Sequence, residues 1–257
     1  MIDEADRGYL LGDGVFDTMR VEAGRPLLFA RHLVRLANSC ASFGFGVSRE
    51  ALEQAIRTGT EELAGKTGSL RTTVTRGPGP RGLLPPAEPQ PTIRTRAAPS
   101  GARASASASA IIANVRRNEG SPATSHKTLG YLDNILARQE AADQGAEEAI
   151  MLTNAGKVAC TTIGNLIVLR EEGPSWTPRA GGGVLPGVVR AVLTERGLLE
   201  ERDLTPGDLH AAPLARSNSL IGVAPLHLKD ADDPPQWRAA ALRRLTDALE
   251  EAEAQEL

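Results

Sequence analysis

The chain has 257 residues (27.1 kDa), enough for one large domain or two small ones with a real core, and its 41% apolar and 24% charged content excludes wholesale disorder. Only 3% of the residues are aromatic, so Leu, Val, Ile and Ala must build that core. The net charge is −3, the first six residues carry three acidic groups and no basic side chain, no apolar run reaches membrane length, and the two cysteines, Cys40 and Cys160, lie far apart. Together these argue against nucleic-acid or membrane binding, a secretion signal and a disulfide or metal framework, and a cytoplasmic location is expected.

In chain order, Gly8–Leu11 is expected to be extended and to turn at Gly12-Asp13-Gly14. A strand then follows over Val15–Val21, where apolar and polar residues alternate. Residues 31–41 carry Leu33, Leu36 and Ala37 at helical spacing, and Ser48 caps a helix predicted over 49–64. Residues 69–76, 91–97 and 103–115 alternate as strands. In the last of these, the Ala-Ser run supplies tiny side chains, with a flexible linker as the other reading. Linker chemistry at Asn118-Glu119-Gly120-Ser121-Pro122 sets the expected boundary. A small domain is expected over 1–117, a linker over 118–124 and a larger domain over 125–257.

In the second half a helix is predicted over 128–143, with Leu129, Leu132, Ile135 and Leu136 on one face and Gly145 as its stop. Strands over 149–152 and 165–169 lie either side of a turn at 154–156. A helix follows Pro186-Gly187, Thr205-Pro206-Gly207-Asp208 caps a short one, 219–223 is a strand, and an Ala-rich helix closes the chain over 236–254. The expected fold class is α+β in two unequal domains.

Gly77-Pro78-Gly79-Pro80-Arg81-Gly82 has G-x-G-x-x-G spacing, but Leu83-Leu84-Pro85-Pro86 follows instead of a helix, which excludes a dinucleotide-binding turn. The segment reads as a rigid surface loop. Arg81 on it suits bidentate carboxylate capture, or is a solvated turn residue. The four histidines show no triad or metal-ligand spacing, and no serine-hydrolase elbow is present.

Of 29 basic residues only Lys66, Lys127, Lys157 and Lys229 are lysines. Codon bias explains the skew but not which four remain. Lys127 stands at the joint between linker and helix, where a desolvated amine permits Schiff-base chemistry; a plain surface charge is the other reading. The helix after Leu185-Pro186-Gly187 starts at Val188-Val189, whose free amides could hold a phosphate, or it is an ordinary loop-to-helix junction.

The combination resembles the class IV aminotransferase family, the fold-type IV pyridoxal-phosphate enzymes, over nearly the whole chain. The resemblance is carried by Asp6-Arg7-Gly8, Gly12-Asp13-Gly14-Val15-Phe16-Asp17-Thr18, His32-Leu33-Val34-Arg35-Leu36 with Ser39, and Thr75-Arg76-Gly77 through Arg81-Gly82. It continues through the Lys127 segment, Ala137–Ala141, Glu148–Leu152, Gly164-Asn165-Leu166, Thr177-Pro178, Leu185-Pro186-Gly187 and Asn218–Val223. It implies a smaller N-terminal α/β sandwich, a larger C-terminal pseudo-barrel domain, pyridoxal 5'-phosphate as cofactor, and a homodimer acting on a small amine.

By the same resemblance, Lys127 is the Schiff-base lysine and Arg35 the arginine for the cofactor phosphate. Val188, Val189 and Ser219 complete the phosphate cup, and Tyr131 lies near the cofactor's phenolic oxygen. Arg81 and Phe16 are the substrate-binding positions.

Three departures matter. Relatives begin further upstream with an additional strand, so the first sheet is expected to lack an edge strand. Phe16 and Leu83 stand where D-amino-acid aminotransferases tend to have tyrosine and histidine. Cys160 replaces the usual glutamate that keeps the pyridine nitrogen protonated. A transaminase leans heavily on that electron sink. Aminodeoxychorismate lyase leans on it less, because aromatisation of its product drives the reaction. The expectation is therefore a lyase-like enzyme of folate biosynthesis. The alternatives are a branched-chain or D-amino-acid aminotransferase, and a weakly catalytic relative that binds the cofactor.

Overall fold

The computed structural model describes residues 3–103, 106–231 and 234–256. They form two compact units. The first runs to Ala102 and takes in His126–Gly130; the second comprises Arg103–Ser125 and Tyr131–Gln255.

The first unit opens with α1 (Arg7–Leu11), where a strand was expected. Local capping decides this. The Asp6 carboxylate accepts the Gly8 N–H, and Gly12 at φ 69° ends the turn in the left-handed conformation. Then come β1 (Gly14–Glu22), β2 (Arg25–Pro26), α2 (Phe29–Ser42), α3 (Arg49–Glu61), β3 (Gly68–Thr75) and β4 (Thr92–Pro99).

The sheet has the order β2-β1-β3-β4, every pair antiparallel. One face carries Val15, Met19, Val21, Leu70 and Val74 against Leu33, Leu36, Leu52 and Ile56 of the two helices. Because side chains alternate along a strand, Phe16, Thr18 and Arg20 of β1 go to the other face. Ser48 caps α3 as expected, accepting the Ala51 N–H at 3.1 Å.

The second unit is built on an eight-stranded mixed sheet forming a half-barrel. Its elements are β5 (Ala108–Arg117), α4 (Leu132–Asp143), β6 (Glu148–Thr153), β7 (Val158–Thr161), β8 (Asn165–Val168), β9 (Ser175–Pro178), α5 (Val188–Glu195), β10 (Leu199–Arg202), α6 (Pro206–Ala211), β11 (Leu214–Asn218), β12 (Gly222–Leu228) and α7 (Arg238–Gln255). The strand order is β10-β9-β8-β11-β12-β5-β6-β7. β6 is buried on both faces: Ile150 and Leu152 join one core cluster, and Ala149 and Met151 the other. The Thr205–Asp208 capping box forms as the sequence predicts.

Three further expectations are corrected. The boundary at 117 is replaced by one at 102/103, because β5 pairs in parallel with both β12 and β6 of the large sheet. The small side chains of Ala108, Ala110 and Ala113 let it lie buried there; residues 104 and 105 of the predicted strand lie outside the described residues. The helix predicted from 128 starts at Leu132, since 126–130 belongs to the first unit. On that helix Asn134, Ala137 and Ala141 are the buried residues, while Leu132, Ile135 and Leu136 are exposed. Residues 219–221 turn between β11 and β12, and Asn218 makes the turn by accepting the N–H groups of Leu220 and Ile221 at 2.9 Å each.

Candidate active site

In the first unit, residues 127–129 run antiparallel to β1. Val15 bridges Thr128, the Phe16 N–H donates to the Lys127 carbonyl at 2.8 Å, and the Leu129 N–H donates to Gly14 at 3.0 Å. This pairing sets Lys127 Nζ 4.4 Å from the centroid of the Phe16 ring. The ring is only 6% exposed, so the amine rests on an apolar, electron-rich face. The preceding residue is tied down too: His126 Nδ1 lies 3.0 Å from Ser39 Oγ, and its ring meets Phe43 edge-on at 4.9 Å. The structure therefore brings together two predicted residues, Lys127 and Phe16.

Arg35 sits on the other face of β1. Asp17, 1% exposed, accepts from Arg35 Nε at 2.9 Å on Oδ2 and from Arg35 Nη2 at 2.9 Å on Oδ1, and Oδ1 also lies 2.7 Å from His32 Nδ1. Burial by itself would raise the Asp17 carboxyl. The charge of Arg35 and the charge and hydrogen bond of His32 overcome that and hold it well below the usual carboxylate range. The forked contact fixes the guanidinium in one orientation.

A second carboxylate organises the Arg81 loop. Asp13 Oδ2 accepts from Arg7 Nε at 2.8 Å and Arg76 Nε at 2.7 Å. Burial pushes its carboxyl up, but the two arginines outweigh this and lower it. Buried Arg7 then gathers the carbonyls of Gly82 at 3.0 Å and Leu83 at 2.9 Å. Gly77 starts this loop at φ 85° and presses so closely on the Gln90 carbonyl that any Cβ there would clash. Arg7 thus ties the loop to the start of the chain. The loop leaves Arg81 exposed, along with Leu83 and Leu84 at 82% and 83%.

In the second unit, Gly187 caps α5 without any side-chain hydrogen bond, so Val188 and Val189 occupy its uncapped first turn. Asn165 braces this turn by donating to the Leu185 carbonyl at 2.8 Å. Its Oδ1 would be 2.0 Å from a Cβ at Gly187, which only glycine allows. Ser219 lies in the β11–β12 turn, and partly buried Tyr131 precedes α4. Cys160 on β7 pairs with Met151 and is buried in the small-residue cluster with Ala137 and Ala141.

Beside it the fully buried Glu148 accepts from Arg216 Nη1 at 2.7 Å, Arg138 Nη1 at 3.0 Å, the Thr162 N–H at 3.2 Å and the Thr162 hydroxyl. The hydrogen bonds to Thr162 hold the chain just beyond Cys160. Sequence reasoning gave no role to Asp13, Asp17, Asn165 or Glu148. For Asp17, its place two residues before Met19 on the inward face of an alternating strand was the available signal, since a buried carboxylate must be paired.

Residues 14–228 match the family described as Amino-transferase class IV. The chain is similar to a D-alanine aminotransferase of Listeria innocua, 30% identical over 250 residues, covering 88% of this chain and 81% of that one. It is also similar to the crystal structure of 4-amino-4-deoxychorismate lyase from Pseudomonas aeruginosa (TM-score 0.81, 29% identity, 98% of this chain and 95% of that one). A hypothetical aminotransferase from Mycobacterium tuberculosis in a PLP-bound form shares the fold (TM-score 0.85, 22% identity, 100% and 94% coverage).

Proposed function

Since the chain belongs to the class IV aminotransferase family of pyridoxal-phosphate enzymes, we propose that it is aminodeoxychorismate lyase-like, releasing pyruvate from 4-amino-4-deoxychorismate to leave 4-aminobenzoate for a folate pathway. The residues present fit the cofactor. The amino end of α5 has no side-chain cap, and Asn165 packed against Gly187 holds its first turn in place, a seat suited to a phosphate. When bound, pyridoxal 5'-phosphate supplies an electron sink for bond cleavage next to the substrate amine.

Lys127 Nζ would carry the cofactor and move the proton. Phe16 limits where that amine can swing. By the family resemblance, Arg35, oriented by Asp17, would meet the cofactor phosphate, as would the amides of Val188 and Val189 and the Ser219 hydroxyl. Tyr131 would donate toward the phenolic oxygen, and Arg81 would meet a substrate carboxylate.

Cys160 carries the choice of reaction. It is buried and brings no carboxylate to β7, which suits a cleavage driven by aromatisation better than amino transfer. The similarity to D-alanine aminotransferase favours the second reading, an aminotransferase. Pyruvate release from 4-amino-4-deoxychorismate, assayed beside amino transfer from D- and branched-chain amino acids to 2-oxoglutarate, separates them. Amino transfer without pyruvate release would refute the lyase reading.

We also propose a cytoplasmic homodimer. Exposed Tyr9, Leu10, Leu83 and Leu84 in the first unit, and Leu132, Ile135 and Leu136 in the second, supply apolar surface for a second copy. No described helix is long and apolar enough to cross a membrane. Sedimentation at micromolar concentration should give the dimer mass; a monomer would overturn that part.

A further inference from the structure

The histidine before Lys127 closes a circuit of contacts within the first unit. His126 Nδ1 lies 3.0 Å from Ser39 Oγ, and that hydroxyl donates to the Arg35 carbonyl at 2.9 Å. Asp17 of β1 accepts from the Arg35 guanidinium at 2.9 Å. Its neighbour Phe16 donates its N–H to the Lys127 carbonyl at 2.8 Å, and Val15 bridges Thr128. The segment 126–129 is thus gripped by β1 on one side and, through His126, by α2 on the other.

The chemistry of the links sets their direction. A hydroxyl has one proton to give, and Ser39 gives it to the carbonyl one helical turn back, which can only accept. Its lone pairs are left for the imidazole, so His126 Nδ1 must carry a proton and donate it. The link is sheltered: Ser39 is 4% exposed, and the Phe43 ring meets the imidazole edge-on at 4.9 Å. A hydrogen bond screened from water in this way is costly to leave unmade.

The positions of its two ends give the link its bearing on the site. His126 is bonded to Lys127, so a shift of the imidazole carries the lysine backbone with it. Ser39 stands four residues after Arg35, on the same face of α2. One side chain therefore ties the lysine segment to the helix that carries the arginine.

We propose that His126 is a positioning residue for the cofactor: its Nδ1–H, donated to Ser39, holds the backbone of Lys127 in register with that of Arg35. The inference deepens the proposed function and rests on Lys127 being the cofactor lysine and Arg35 meeting the phosphate.

Nitrogen NMR of the cofactor-loaded enzyme at pH 8 reads the proton, with the His126 signals assigned by their loss in His126→Asn. Nδ1 should be protonated; an unprotonated Nδ1 overturns the proposal. Equilibrium dialysis against pyridoxal 5'-phosphate reads the consequence. His126→Phe keeps a ring against Phe43 but has no N–H to give, and should hold the cofactor at least roughly 10-fold more weakly than the parent. His126→Asn, which places an amide N–H close to the position of Nδ1, should recover most of that affinity. Ser39→Ala should lose at least as much as His126→Phe, and the double variant no more than Ser39→Ala, because both links run through one hydroxyl.

A merely structural His126 would lower the melting temperature and leave the cofactor affinity of the folded protein unchanged. Equal affinity in parent and His126→Phe, or losses that add in the double variant, overturns the proposal. If His126→Phe fails to fold, Ser39→Ala is read in its place. The reading of Lys127 is checked separately: if Lys127→Ala keeps the absorbance of covalently held cofactor, the proposed function fails whatever His126 does. If that absorbance is lost while His126→Phe binds the cofactor like the parent, this inference alone fails.

Discussion

Replacing Asp17 by Asn tests whether the buried carboxylate holds the Arg35 face together. Three short hydrogen bonds converge on it: His32 Nδ1 at 2.7 Å and Arg35 Nη2 at 2.9 Å on Oδ1, and Arg35 Nε at 2.9 Å on Oδ2. Asparagine keeps the shape but offers one acceptor oxygen, and its amide nitrogen then faces donors. Breaking a buried pair by neutralising one member costs ~3–5 kcal/mol. Arg35 is 15% exposed and can recover some hydration, which puts the loss near the lower end, about 3 kcal/mol. For a chain of this size that lowers the melting temperature by roughly 6–12 °C.

The pH dependence gives a sharper signature. Asp17 titrates below its unfolded value, so its contribution is fully present above the unfolded pKa of ~3.9 and is lost as pH falls through the lower folded value. The stability gap between parent and variant should be full at pH 7 and shrink below about pH 4. Urea unfolding at pH 7, 5 and 3 measures this. A variant as stable as the parent at pH 7, or a gap that stays constant with pH, would refute the reasoning.

The other expectations are simpler. Lys127→Ala should abolish covalent cofactor absorbance and turnover; a retained band would move the role to Lys66, Lys157 or Lys229. Arg7→Ala should free the carbonyls of Gly82 and Leu83, and limited proteolysis should then cut within 79–86 at least several-fold faster, whereas an unchanged cleavage rate would show that the prolines alone stiffen the loop. Cys160→Glu introduces a larger side chain among Ala137, Ala141 and Met151, which should cost ~1–3 kcal/mol by melting. In a variant that stays folded and loaded, pyruvate release should change little while side transamination rises. Unchanged transamination and cofactor spectra would mean residue 160 does not face the pyridine nitrogen.

Much of the framework follows from local chemistry alone. The alternation over 15–21, the Ser48 cap and the Thr205–Asp208 box are set by neighbours a few residues apart, so they are legible in the chain and recur in the structure. The family signature around Lys127 is legible for the same reason. Where the reading went astray, longer-range partners decided. β5 looks like the end of a first domain until β6 and β12 pair with it. Leu132, Ile135 and Leu136 look like a core stripe, yet the sheet admits only the small faces of Ala137 and Ala141.

The charged constellations are the clearest case. Asp17 and Arg35, Arg7 and the carbonyls of 82–83, and Arg71 with Lys127 on the Phe16 ring join residues from 18 to 111 positions apart. A one-dimensional pattern records which groups can pair. Which do pair depends on strand register and on the free energy of burying a charge, and both are settled only when the sheet closes over its helices.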